Sequence, residues 1–287
     1  MNTLLKRTIS GTVYAAALVG CVLWNKFSFL AIMLFFLVCM MTEFMKMTMG
    51  NEYKRSQLLT IVTGVAFFAS VWSVRSFPWI KAEFCFLALI PLFAVMITSL
   101  YVKDKGDFGK FANVYTALVY VVLPLTINNF LVMDQFGTYN GWLLICFFAI
   151  ISSSDVGAYI FGMALGQKFG KKLFPSISPK KSWIGFWGGM AVMVGVSLIF
   201  YFTGLWEFCG LKMFTWYHAM IMAILMDIAG VYGDLFESQW KRHYEVKDSG
   251  NIIPGHGGIL DRLDSSIFAI PVGVLYLSLF KLFEVVM

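Results

Sequence analysis

From Phe27 to Met41 the chain reads FSFLAIMLFFLVCMM, with no charged side chain and no glycine or proline to interrupt it. Continued to Met47, it supplies about 20 mostly apolar positions, which is the length an α-helix needs to cross bilayer hydrocarbon. Comparable runs recur near 8–25, 58–75, 84–102, 111–133, 141–165, 185–204, 217–237 and 266–286, nine in all with 27–47, those at 8–25, 58–75 and 185–204 being marginal. In lipid the backbone has no water to bond with, so these runs are expected as helices rather than open sheets. Composition agrees. Hydrophobic residues make up 59% of the 287 positions and charged residues 13%, against about half and about a quarter in a soluble domain. The expected fold is therefore all-α, a polytopic integral membrane protein of about nine transmembrane helices. The run from Thr8 to Trp24 is read as the first span rather than a cleaved signal, because it is long enough to cross and further spans follow.

Orientation follows from Lys and Arg, which concentrate in cytoplasmic loops. With the N-terminus inside, only Lys26, Arg75, Lys81, Lys212 and Lys281 of the 22 basic residues fall outside. The N-terminus is thus expected in the cytoplasm and the C-terminus outside. The net charge of +6 sits in short loops, with no basic arm of the kind that binds nucleic acid. Cys21, Cys39, Cys85, Cys146 and Cys209 are scattered without a CxxC pair, which argues against a disulfide framework or a zinc site.

The two halves differ in character. Residues 1–140 read as a scaffold of about five helices, with polar residues at helix ends and loops. Residues 141–287 read as the catalytic region, about four helices with cytoplasmic loops at 166–184 and 238–265. Here ionisable residues enter apolar segments, where they are costly unless they face a wet or protein interior. The sixth run carries Ser152-Ser153-Ser154-Asp155, and the eighth carries Asp227 and Asp234 on one helix face with Gly230 and Gly233 between them. Between the sixth and seventh runs stands Ser178-Pro179-Lys180-Lys181-Ser182, immediately before a helix. A helix N-terminus favours anions, and two adjacent cations with two hydroxyls there point to a polyphosphate site.

The richest stretch runs from Gly233 to Asp264: GDLFESQWKRHYEVKDSGNIIPGHGGILDRLD. Its glycine-rich turn allows backbone N–H groups to face an anion. Its clustered carboxylates and cations suit a magnesium polyphosphate, with oxygen ligands for the hard ion and Lys or Arg for the phosphates. Asp234 and Asp261 are the expected metal ligands, joined by Asp155.

This stretch closely resembles the phosphatidate cytidylyltransferases, also called CDP-diacylglycerol synthases. The family pattern stands here as Ser238, Lys241-Arg242, Lys247-Asp248, Pro254, His256-Gly257-Gly258, Asp261-Arg262 and Asp264. Gly233-Asp234-Leu235, Asp155 with Ala158-Tyr159, and Ser178 to Trp183 also look like the family. The resemblance covers 150–270 well and the first half in general character. One position departs: Ile184 stands before Gly185 where many members have glutamate, so no role of that glutamate carries over.

The resemblance implies transfer of the cytidylyl group of CTP to phosphatidate, giving CDP-diacylglycerol and pyrophosphate, at a cytoplasm-facing site in a bacterial inner membrane. It implies catalytic roles for Asp234, Lys241, Arg242, Lys247, Asp248, His256, Asp261, Arg262 and Asp264. Substrate contacts fall to Ser178, Lys180, Lys181, Ser182, Ser238, Gly257 and Gly258. Mg2+ is the expected cofactor, a second cation being an open addition. The partners are CTP, phosphatidate and the bilayer, with a homodimer as an open arrangement. Two other readings are a membrane enzyme acting on an isoprenoid or archaeal lipid phosphate, and a cation transporter using Asp155, Asp227 and Asp234. The acidic and basic loop after Asp234 has no use in a simple cation path, and the spans lack paired broken helices.

Overall fold

Each apolar run closes its own backbone hydrogen bonds as a helix, and the polar residues between runs set where one helix stops and the next begins. A computed structural model of the protein describes residues 3–102, 108–134, 136–166, 170–255 and 257–282, with the side chains of 3–7 left out. Among them nine long helical segments follow in order. These are α1 (Thr3–Trp24), α2 (Lys26–Met49), α3 (Lys54–Ser76), α4 (Ala82–Ser99), α5 (Phe108–Val132), α6 (Trp142–Gly166), α7 (Trp183–Phe202), α8 (Trp216–His243) and α9 (Leu260–Leu279). Eight of these, α2 to α9, are long and apolar enough to cross a membrane. The all-α polytopic architecture is therefore as expected, with about 77% helix and almost no strand. Of the residues used for orientation, Lys103, Lys105, Lys168 and the side chains of Lys6 and Arg7 lie outside those described.

Two compact units emerge: Met1–Tyr139 with Tyr244–Leu263, and Asn140–His243 with Asp264–Met287. Residues 244–263, grouped with the second half in the sequence reading, pack within the first unit.

In the first unit Asn25 breaks the chain between α1 and α2. Its Oδ1 accepts from Phe27 N at 2.8 Å and Ser28 N at 3.0 Å, and Ser28 Oγ accepts from Asn25 N at 3.1 Å. This reciprocal cap satisfies N–H groups that an apolar helix start leaves open. Ser28 Oγ also donates to Cys21 O at 2.7 Å, fastening α2 to α1. Lys26 Nζ donates to Ser76 O at 3.1 Å and Trp72 Nε1 to Lys26 O at 3.2 Å, which ties α3 alongside. In α5, Leu118–Val122 forms a π turn just before Pro124. Proline lacks an N–H and clashes with the preceding turn, and the wider turn absorbs both defects within the helix.

In the second unit α6 and α7 run close together. A methyl at Gly188 would stand 2.4 Å from Phe161 Cβ, and one at Gly189 would stand 2.9 Å from Ser154 O. Only hydrogen fits, and small residues of this kind let membrane helices pack by contact where no hydrophobic driving force exists. Between these helices, β1 (Lys172–Phe174) and β2 (Ser178–Ser182) pair antiparallel, with Lys172 opposite Ser182 and Phe174 opposite Ser178. Ser182 then caps α7, its Oγ accepting from Gly185 N at 3.1 Å.

Two boundaries move, and they matter for the site. α8 continues to His243 rather than ending near 237, and α9 begins at Leu260 rather than near 266. Hydropathy ends a span where polarity begins, but a polar helix is sustained by its own i,i+4 pairs. Ser238 bonds to Asp234, and Lys241 to Glu237, across one turn each. The loop that was expected at 238–265 therefore shrinks to 244–259.

Asn251 and Thr138 are both exposed. With the expected orientation, Asn251→Cys should react with an impermeant maleimide only from the cytoplasmic side, and Thr138→Cys only from outside. Reaction of both from one side would contradict the alternation of spans.

Candidate active site

In the second unit a cavity of about 490 Å³ is walled by α6, the hairpin, the start of α7, α8 and α9. Asp155 comes from α6, Lys180 and Lys181 from β2, Ser182 from the α7 cap, Asp234 from α8 and Ser265 from α9. Apolar walls come from Ala158, Met163, Leu173, Phe186 and Val231. The space is thus lined by charged and apolar side chains together.

Charge is paired across this cavity. Lys181 Nζ lies 2.5 Å from Asp234 Oδ2, with both side chains just over a quarter exposed. Ser238 Oγ donates to the other oxygen of Asp234 at 3.2 Å. One turn further along α8, the buried Glu237 accepts from Lys241 Nζ at 2.6 Å. Arg242 reaches the turn of the hairpin, its Nε donating to Ile177 O at 3.4 Å. Asp264 is half-buried on α9, its Oδ1 accepting from Ser265 N at 2.6 Å, within electrostatic reach of Asp234 and Asp155. The buried Asp227 accepts from Ser154 Oγ deeper in the unit, and so serves the contact between α6 and α8. Ser178 opens β2 and Lys180 is exposed beside it, so the Ser-Pro-Lys-Lys-Ser segment presents cations from a rigid two-stranded turn.

The remaining residues singled out in the sequence lie in the first unit. Lys247, Asp248 and Arg262 are exposed there. Gly257 has φ +86°, which a side chain would strain, and the backbone pairs back to Ile253. In the glycine-rich turn the Gly258 amide meets the chain's own Asp261. Its carboxylate accepts from Gly258 N at 2.8 Å and Ser249 N at 3.0 Å. His256 lies outside the described residues.

One residue of this unit had not been singled out. Glu43, on α2 in the half read as scaffold, is 4% exposed and accepts from Ile259 N, Leu260 N and Ser249 Oγ. Its signal in the sequence was an acidic residue inside an otherwise apolar run, which is costly without donors.

The polar residues of the second unit thus combine oxygen donors for a hard cation with lysines for phosphate oxygens, beside hydrocarbon walls. The cytidylyltransferase family model matches residues 5–280. The chain belongs to the cytidylyltransferase family. Its relatives include the phosphatidate cytidylyltransferase of Bacillus subtilis, 36% identical over 200 residues, which is 67% of this chain and 68% of that one. The phosphatidate cytidylyltransferase of Rickettsia bellii is 31% identical over 222 residues, covering 77% of this chain and 91% of the relative. That of Staphylococcus epidermidis is 45% identical over 124 residues, 43% and 44% of the two chains. With its apolar helices and these bacterial relatives, this cytidylyltransferase-family chain is a multi-pass membrane protein.

Packing behind the site generates a direct test. A methyl at Gly233 would stand 2.6 Å from Asp264 O and 3.2 Å from Phe268 Cβ, whereas one at Gly230 would meet nothing nearer than 3.6 Å. Gly233→Ala should cost about 1–3 kcal/mol by overpacking α8 against α9, and Gly230→Ala almost nothing. Thermal unfolding of the two variants in the same detergent should separate by several degrees; equal melting would show that the two helices shift without cost.

Proposed function

We propose that this chain transfers the cytidylyl group of CTP to phosphatidate, releasing pyrophosphate and forming CDP-diacylglycerol. The observation that carries the reading is the cavity of the second unit, which Lys180, Lys181, Asp155 and Asp234 line together with apolar side chains. A phosphate oxygen of phosphatidate attacks the α-phosphorus of CTP. The new P–O bond forms as the bond to the β-phosphate oxygen breaks, and pyrophosphate leaves with that electron pair. The attacking phosphate is already ionised at neutral pH, so no strong base is required. The task is to bring two polyanions together and hold them in line.

Lys180 and Lys181 meet the triphosphate oxygens. Lys181 is ion-paired to Asp234 in the resting arrangement, so phosphate binding exchanges one anionic partner for another and leaves Asp234 available to a cation. The apolar walls from Ala158, Met163, Phe186 and Val231 suit a substrate whose other end is hydrocarbon. In this reading the reaction runs at the cytoplasmic face of an inner membrane, where CTP is found.

Among the described residues no group of three or more His, Cys, Asp and Glu forms a ready metal cage. Magnesium does not require one, since it keeps several waters and takes one or two carboxylates together with substrate phosphates. The donor set fits: Asp155 and Asp234 face one cavity, and Asp264 is electrostatically linked to both. These residues would hold the ion, which when bound supplies charge neutralisation at the phosphates.

Purified protein in detergent should incorporate label from α-labelled CTP into lipid only when phosphatidate is present. Asp234→Asn should lower turnover about a hundredfold or more, as for loss of a major electrostatic group. Lys180→Ala with Lys181→Ala should chiefly raise the KM for CTP. Chelation should abolish the reaction and magnesium restore it. Absence of labelled lipid from folded wild-type protein would overturn the assignment.

A further inference from the structure

Glu43 is the one acidic residue of α2, and it is buried to 4% exposure on a helix whose Met41, Phe44 and Met45 are also buried. A carboxylate there is tolerated only where donors converge on it. They come from one segment of chain far along the sequence. Ile259 N donates to Oε1 at 3.1 Å, Leu260 N donates to Oε2 at 2.9 Å, and Ser249 Oγ lies 3.4 Å from Oε2. Ile259 and Leu260 stand at the start of α9, whose free N–H groups and dipole favour a negative charge. The backbone wraps the carboxylate at two glycines. A methyl at Gly250 would stand 2.4 Å from Glu43 Oε1, and one at Gly258 would stand 2.5 Å from Oε2. No side chain fits at either place without expelling Glu43. Beside it, Asp261 takes up Ser249 N and Gly258 N, so the two carboxylates together close the segment from 249 to 260 at both ends.

We propose that Glu43 is the positioning residue of this enzyme's 247–262 segment: its buried carboxylate fixes the segment on which Lys247, Asp248 and Asp261 are carried, and so sets their placement for turnover. The proposal rests on the cytidylyltransferase reading. A carboxylate is specifically required, because two amide donors meet its two different oxygens. Glutamine offers one acceptor and turns an NH2 group toward the other N–H. The segment from 249 to 260 would then lose one anchor while α2 keeps its shape.

The test compares Glu43→Gln with wild type and with Thr48→Ala. Thr48 is a buried control on the same helix whose hydroxyl bonds within its own turn, to Phe44 O at 3.0 Å. Hydrogen–deuterium exchange in detergent reads both the local anchor and the folded fraction, and turnover is expressed per folded molecule. Glu43→Gln should speed exchange in peptides covering 249–261 by at least about tenfold, the loss of an amide bond to a charged acceptor, with other helices unchanged. Turnover per folded molecule should fall about tenfold or more, and Thr48→Ala should match wild type in both. A residue that served folding alone would lower the folded fraction and leave turnover per folded molecule intact, and that result would overturn the proposal. Unchanged exchange at 249–261, or loosened exchange with wild-type turnover, would overturn it equally. Should wild type itself fail to use CTP and phosphatidate, the reaction assignment fails, while the exchange data still report whether Glu43 holds the segment.

Discussion

An ionised carboxylate surrounded by hydrocarbon is tolerable only where donors meet it, and that requirement organises this protein. With 13% charged residues, four acids on apolar helices show how donors are found. Asp227 takes a serine hydroxyl from α6, Asp234 takes Lys181 from the hairpin and Ser238 from its own helix, and Glu237 takes Lys241 one turn on. Glu43 takes the amides that open α9. These pairings are what bring helices and loops of distant sequence into register. An apolar helix face by itself would accept a neighbour in many rotations.

Each unit uses this requirement in a different way. In the second, Asp227, Asp234 and Glu237 meet side chains. Lys181 and Asp234 keep just over a quarter of each side chain exposed, so their pair stays within reach of solvent. In the first unit, the partners are backbone amides of a glycine-rich segment. Such amides have no freedom to swing away, so Glu43 and Asp261 act as fixed points for the chain that carries them. The same residue types thus meet side chains in one place and backbone amides in the other.

The hairpin shows how a membrane protein places mobile cations. Lysines on a free loop would sample many positions and lose entropy on binding. Here Pro179 and the two-stranded turn hold Lys180 and Lys181 directly before the Ser182 cap of α7. The close contact of α6 with α7 through Gly188 and Gly189 fixes the helix that follows. The site's cations are therefore rigid at the backbone and flexible only along their side chains.

Hydropathy and charge in the sequence were enough for the all-helical architecture and the order and approximate limits of the apolar segments, because lipid imposes length and polarity on every span one residue at a time. The motif from Ser238 to Asp264 was equally legible, since its spacing is a local property. Three matters were decided only in three dimensions. The polar end of α8 is helical because Asp234 with Ser238, and Glu237 with Lys241, meet across a turn, where a hydropathy profile reads a loop. The glycine-rich turn spends its Gly258 amide on Asp261, a choice that depends on how the segment folds back on itself. Glu43 stands about two hundred residues before its donors, and no local pattern records a partnership at that separation. What the sequence could state alone was where charge is costly; which donor meets each charge was left to tertiary structure, because only folding brings remote donors within hydrogen-bond reach.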